Sequence, residues 1–245
     1  MKIAIISGAS SGIGRSIARN LDNLGLDELW LIGRNTERLT KIKAELKTSS
    51  RCFFLDLTYK DAINAIVNEL KNDMFNVEYL ILSAGVGYNG AFEKSSLESI
   101  ENTIDVNCAA HTMLACATLP YVSDGGKIIN IASGAGFLPQ PSFAVYAASK
   151  AYVISFSKAL RQELRARKIK VTAVCPGPVD TDFFARLDNV KEYKKKLVIS
   201  PERVASGALK AVSKNKAIYT PTFSMKLVHL LSKLVPTSLI LKFYK

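Results

Sequence analysis

The sequence predicts a doubly wound parallel α/β sheet of seven strands with helices on both faces. Three observations predict it. Apolar strand-like runs alternate with helix-like stripes along the chain. Several runs are continuously apolar, as in Ile128-Ile129-Asn130-Ile131-Ala132 and Val171-Thr172-Ala173-Val174, which marks strands covered on both faces. The first run passes straight into a glycine-rich turn and a helical stripe. Alternation with right-handed crossovers gives one open sheet, with ligands lying beyond the carboxyl ends of its strands.

Lys2-Ile3-Ala4-Ile5-Ile6 predicts a strand near 2–6. Ser7-Gly8-Ala9-Ser10-Ser11-Gly12-Ile13-Gly14 follows as a turn, and Ile13, Ile17, Leu21 and Leu24 share one stripe of a helix near 12–24. Glycines allow a tight turn and close approach of backbone to a pyrophosphate, whose charge suits the helix N-terminus. The second strand, near 28–32, ends in Leu31-Ile32-Gly33-Arg34-Asn35. An acid there would bond a ribose 2′-hydroxyl; Gly33 instead leaves space and Arg34 offers a planar fork for a phosphate. The cofactor expected is therefore NADP(H), against the plainer reading of Arg34 as a surface side chain. Arg15 is a weaker second cation.

Further strands are expected near 51–55, 77–82, 126–132, 169–175 and 217–220, and further helices near 35–47, 59–73, 97–118, 143–167 and 201–213. Gly8, Gly33, Asp56, Ser83, Ser133 and Cys175 all fall at carboxyl ends of strands. The helix from Phe143 carries Tyr146-Ala147-Ala148-Ser149-Lys150, with a phenol and an ammonium at i and i+4 on one face. A fixed positive charge beside a phenol lowers its pKa from about 10, so that it exchanges a proton with a reacting oxygen. Ser133 ends the preceding strand and could hold the same oxygen. Alone, Tyr-x-x-x-Lys reads more readily as a buried aromatic beside a solvated lysine; the glycine-rich turn changes the balance.

Together these motifs resemble the short-chain dehydrogenase/reductase family in its compact, Rossmann-like form, over nearly the whole chain. Ser7 stands where the family usually has Thr in Thr-Gly-x-x-x-Gly-x-Gly. Asp56-Leu57 looks like the family's adenine-contacting pair. Leu82-Ser83-Ala84-Gly85 takes the place of Asn-Asn-Ala-Gly, so the strand-tying asparagines are missing. Asp105-Val106-Asn107 resembles the motif whose Asn holds a water in the proton relay. Ser133, Tyr146 and Lys150 match the catalytic trio, and Pro176-Gly177-Pro178-Val179-Asp180-Thr181 matches the loop at the nicotinamide carboxamide.

The resemblance implies catalytic Asn107, Ser133, Tyr146 and Lys150. It implies dinucleotide contacts from Ser7, Gly8, Ser10, Ser11, Gly12, Ile13, Gly14, Arg34, Asp56, Leu57, Ala84, Gly85, Tyr146, Lys150, Pro176, Gly177, Val179 and Thr181. The activity implied is hydride transfer between NADP(H) and a carbonyl or alcohol. Apolar segments Val86–Gly90, Phe137–Gln140 and Phe183-Phe184 favour a hydrophobic substrate. A non-catalytic dinucleotide-binding sensor or scaffold is the alternative; an epimerase or dehydratase is disfavoured by the glycine spacing.

Length and a 48% hydrophobic composition fit one domain, 1–245, with a basic apolar tail over 222–245. The chain opens on a strand, so no secretory signal is expected. Cys52, Cys108, Cys116 and Cys175 lack metal spacing and read as reduced thiols; His111 and His229 are too few for a metal site. Net charge is +12, concentrated late: residues 191–245 hold twelve Lys/Arg against two acids, including the cluster Lys191–Lys196. The apolar tail rimmed with lysine is expected to pack on its own domain or a dimer mate, with an anionic membrane surface or a cover over the pocket as the alternatives. No nucleic-acid motif accompanies the charge. Tyr152, Ile154, Phe156, Leu160 and Leu164 make the long helix apolar on more than one face, which predicts a homodimer or homotetramer. A cytoplasmic protein, with the tail as a candidate membrane contact, is the expected setting.

Overall fold

The computed structural model describes residues 1–72, 74–187 and 197–242. Seven parallel strands form one sheet in the order β3-β2-β1-β4-β5-β6-β7. They are β1 Lys2–Ser7, β2 Glu28–Gly33, β3 Ser50–Phe54, β4 Asn76–Leu82, β5 Val122–Ile131, β6 Lys170–Val174 and β7 Ile218–Tyr219. The order reverses between β1 and β4, so the connections leave their carboxyl ends in opposite directions and open a crevice there.

Alternate residues of β1 serve two cores, as a strand period of two requires. Ile3 and Ile5 pack with Trp30, Ile32, Leu80 and Ile128 on one face. Ala4 and Ile6 pack with Leu29, Leu31, Ile81 and Ile129 on the other. Helices cover both faces: α1 Gly12–Leu21, α2 Thr36–Glu45, α3 Lys60–Asn72, α4 Leu97–Ile104, α5 His111–Thr118, α6 Ala144–Glu163, α7 Asp182–Ala185 and α8 Pro201–Ser213. Two short helices follow β7, α9 Phe223–Leu234 and α10 Thr237–Leu241.

Most expected elements appear within two or three residues, and α8 agrees at both ends. Ser200 caps it by accepting from Arg203 N at 3.3 Å, and Pro201 starts it. Three expectations need correction. Helix α6, expected over 143–167, ends at Glu163, where Leu164 leaves helical geometry with ψ of 5°. The helix expected over 97–118 is interrupted by a π-turn at Asp105–Ala110. Strand β5 starts at Val122, four residues before the expected 126, because Val122 pairs with Val77 and the residues between Val122 and Lys127 absorb a register shift before Tyr79 pairs with Lys127. The Lys191–Lys196 cluster lies outside the described residues.

The sheet centre also holds a polar chain. His111 Nε2 lies 3.2 Å from Asn130 Oδ1, Asn130 Nδ2 donates to Ser157 Oγ at 2.8 Å, and Ser157 donates to Val153 O at 2.6 Å. Burial, then the nearby charge of Lys150, pushes the His111 pKa down to about 3, so the ring is neutral and structural. Among the described residues no helix is long and apolar enough to cross a membrane.

Candidate active site

The turn after β1 is shaped by close backbone approach. Gly8 and Gly12 have φ of +67° and +52°, a region costly for side chains. A Cβ on Gly8 would lie 2.8 Å from Ala84 N, and one on Gly14 would lie 2.8 Å from the Gly8 carbonyl carbon and closer still to its oxygen. The turn is therefore pressed against both itself and the end of β4. Ser7 clamps the same junction: its buried hydroxyl accepts from Ser83 N at 3.0 Å and Ala84 N at 3.2 Å. The tie that the missing asparagines of β4 put in question is thus made from β1.

Several groups beside this turn could hold a dinucleotide. Ser11 caps α1 without a side-chain hydrogen bond, leaving the first-turn N–H groups to other partners. Gly33 faces Ser10, whose Oγ lies 3.3 Å from where a Cβ would stand. Arg34, with its side chain 60% exposed, reaches Asp56 at only 3.4 Å. Arg15 Nε is buried and has no hydrogen-bond partner among the described residues. Arg38 of α2 pairs with Asp182 of α7, a cation that the sequence reading missed. Burial of Asp56 opposes its ionisation, but bonds from Thr58 and the charge of Arg34 hold its carboxyl below the usual range.

Three residues expected at the dinucleotide spend their side chains elsewhere. Ser7 is committed to β4, Leu57 is buried in the first core, and Val179 is buried beside its bridge to Ile199. Each has only backbone to offer. Thr181 instead lies over the glycine-rich turn, its Cγ2 2.9 Å from a Cβ placed on Gly12.

Ser133, Tyr146 and Lys150 converge at the carboxyl end of β5. Ser133 Oγ accepts from Ala135 N at 3.1 Å and lies near enough to the Tyr146 phenol to favour its ionised form. Lys150 is buried, with Nζ donating to Ile131 O at 3.0 Å and lying 5.7 Å from the Tyr146 ring centroid. Gly136 makes room for this: a Cβ there would meet the Lys150 carbonyl carbon at 2.6 Å. The Tyr146 ring stacks on Phe143 at 4.3 Å, faces Phe183 at 5.2 Å, and is pressed by Gly87, where a Cβ would lie 3.0 Å from its Cγ.

The expected tuning of the phenol is corrected. Burial pushes the Tyr146 pKa up to about 12, with Ser133 pulling the other way. The i, i+4 spacing does put both groups on one face, but the ammonium turns to the Ile131 carbonyl rather than to the phenol oxygen. Lys150 itself is lowered to about 8, burial outweighing the thiols Cys108 and Cys175. Asn107 has partners of its own. It sits in the π-turn, fully buried, with Oδ1 accepting from Val86 N at 2.9 Å and Nδ2 donating to Val86 O at 2.8 Å and Ser149 Oγ at 2.9 Å. Both amide hydrogens are committed, so its side chain fastens the loop after β4 to α6. A Cβ on Gly85 would lie 3.2 Å from Lys150 Nζ and 3.3 Å from Asn107 Oδ1, so this loop runs directly past the pair.

The tail packs beside the residues that follow Ser133. Met225 of α9 fills a notch between two glycines: its sulfur lies 2.5 Å from a Cβ placed on Gly134 and 3.4 Å from one on Gly177. His229 stacks on Phe137 at 4.4 Å. No local sequence signal pairs these residues.

Residues 2–192 match the family model described as short chain dehydrogenase. This chain belongs to the short-chain dehydrogenase family. It is an oxidoreductase of that family. An uncharacterized oxidoreductase of Staphylococcus epidermidis is 36% identical over 182 residues, 74% of this chain and 79% of that protein. A short-chain dehydrogenase from Sphingobium yanoikuyae, solved in complex with NADPH, superposes with a TM-score of 0.82 at 28% identity, covering 100% of this chain and 97% of that one. A bulky-bulky ketone specific alcohol dehydrogenase from Comamonas testosteroni gives a TM-score of 0.79 at 26% identity, covering 100% and 95%.

Proposed function

We propose that this short-chain dehydrogenase is an NADP(H)-dependent carbonyl reductase or alcohol dehydrogenase acting on a hydrophobic substrate. The observation that carries the reading is the convergence of Ser133, Tyr146 and Lys150 beside the glycine-rich turn. When bound, NADP(H) supplies or accepts the hydride at its nicotinamide ring. The protein orients the substrate and manages the proton.

Burial keeps the proton on Tyr146 at neutral pH, as a donor to a carbonyl oxygen requires. As the phenol yields it, negative charge grows between the Ser133 hydroxyl and the Lys150 ammonium, and both oppose its cost in a dry site. Lys150 holds that charge only below its own pKa of about 8. Asn107 keeps the loop after β4 and helix α6 in register, so the trio is held rather than assembled on demand.

NADP(H) is supported by Gly33 and Arg34 in place of an acid, by the unpartnered Arg15 Nε, and by the NADPH of the Sphingobium neighbour. The apolar substrate class is supported by Phe143 and Phe183 against the phenol and by the ketone named for the Comamonas neighbour.

The test is NADPH oxidation, followed by nicotinamide absorbance, against aldehydes and ketones from short polar to long-chain. Tyr146→Phe is expected to lower turnover at least ~10²-fold while NADPH still binds. The kcat/KM for reduction is expected to fall as pH rises through about 8, where Lys150 loses its charge. NADPH is expected to bind at least about tenfold tighter than NADH, a preference that Arg34→Ala reduces. Turnover surviving in Tyr146→Phe refutes the mechanism; tight NADPH binding with no turnover on any compound favours a binding module.

A further inference from the structure

The tail helix α9 has two apolar faces, and among the described residues only one is packed. Met225 and His229 fasten the inner face to Gly134, Gly177 and Phe137. On the outer face Phe223 is 80% exposed and Leu234 70%, with Leu227, Leu230 and Leu231 also exposed between them. At about 100° per residue, Phe223, Leu227, Leu230 and Leu234 fall within roughly 60° of one another. Leu239 of α10 is exposed as well. Lys226 and Lys233 lie one turn-flank away from this stripe and are exposed. No Asp or Glu follows Glu202 anywhere in the chain.

That charge pattern selects the occupant. A second copy laid on this face would set lysine against lysine, with no carboxylate in either tail to pair them. An anionic bilayer answers both features: acyl chains take Phe223 and the leucines, and lipid phosphates take the flanking ammonium groups. We propose that α9 and α10 form a peripheral docking face that lies flat on an anionic membrane surface. The helix is a reader of the interface, not an anchor through it. Its inner face stays packed on Gly134, Gly177 and Phe137.

The test is sedimentation of the full chain with vesicles of phosphatidylglycerol and phosphatidylcholine, against vesicles of phosphatidylcholine alone. Binding to the anionic vesicles is expected, weakening as salt rises. Leu227→Ser/Leu230→Ser removes apolar area from side chains that already face outward, so folding and melting should be kept. Its vesicle partitioning is expected to fall at least about tenfold. Lys226→Gln/Lys233→Gln is expected to erase most of the preference for anionic lipid. The proposal is overturned if the wild-type chain stays in the supernatant at low salt, or if the leucine variant sediments like wild type. It is also overturned if light scattering without lipid finds an oligomer that the leucine variant dissociates, since a second copy then covers the face.

Discussion

A Cβ on Gly14 would lie 2.8 Å from the Gly8 carbonyl carbon, whereas one on Gly134 would lie 2.5 Å from the sulfur of Met225. Both glycines allow an approach that a side chain forbids, but the neighbours differ in kind. At the dinucleotide end, backbone meets backbone: Gly14 against Gly8, and Gly8 against Ala84, with Ser7 closing the junction. Neither partner can retreat without moving a strand. At the tail end, backbone meets the tip of a methionine, which has three rotatable bonds and adapts readily. The first end is fixed for one ligand shape. The second is built from side chains that can be exchanged without rebuilding the sheet.

Gly14→Ala is the sharpest way to break this contrast. It is expected to cost about 2–4 kcal/mol of stability and to abolish measurable dinucleotide binding, because the Gly8 carbonyl has nowhere to move. Thermal melts and NADPH titration read both effects. Ser7→Ala comes next. It leaves the N–H groups of Ser83 and Ala84 without their partner and is expected to cost about 1–3 kcal/mol, with Ser7→Thr retaining most of the wild-type stability. A Ser7→Ala protein that melts with wild type would mean the β1–β4 junction is held by backbone alone.

The dinucleotide end was also the more legible in sequence, for the same reason. A backbone turn needs glycines at fixed local spacing, so Gly8, Gly12 and Gly14 announce it within eight residues of Ser7. Helix α8 is legible because Ser200 and Pro201 are local start signals. What escaped depends on neighbours distant in the chain. The π-turn at Asp105–Ala110 sits where Asn107 reaches across to both amide groups of Val86, and helical periodicity carries no trace of that contact. Gly125-Gly126 reads locally as a turn before a strand; only pairing of Val122 with Val77 makes it part of one. The phenol was misjudged because spacing fixes a helix face but not where an ammonium ends. Ile131 O, on a different element, claims Lys150 Nζ.

The smallest expected effect probes the adaptable end. Gly134→Ala is expected to cost only about 1 kcal/mol, since Met225 can swing away from the added methyl. Met225→Ala should cost a similar amount by leaving the notch between Gly134 and Gly177 partly empty. In the double variant the new methyl enters space that the methionine has left, so the pair should cost less than the two single changes together. A Gly134→Ala cost equal to that of Gly14→Ala, with no coupling to Met225, would show the tail helix to be as rigid as the strands. The contrast between a backbone-built end and a side-chain-built end would then fall.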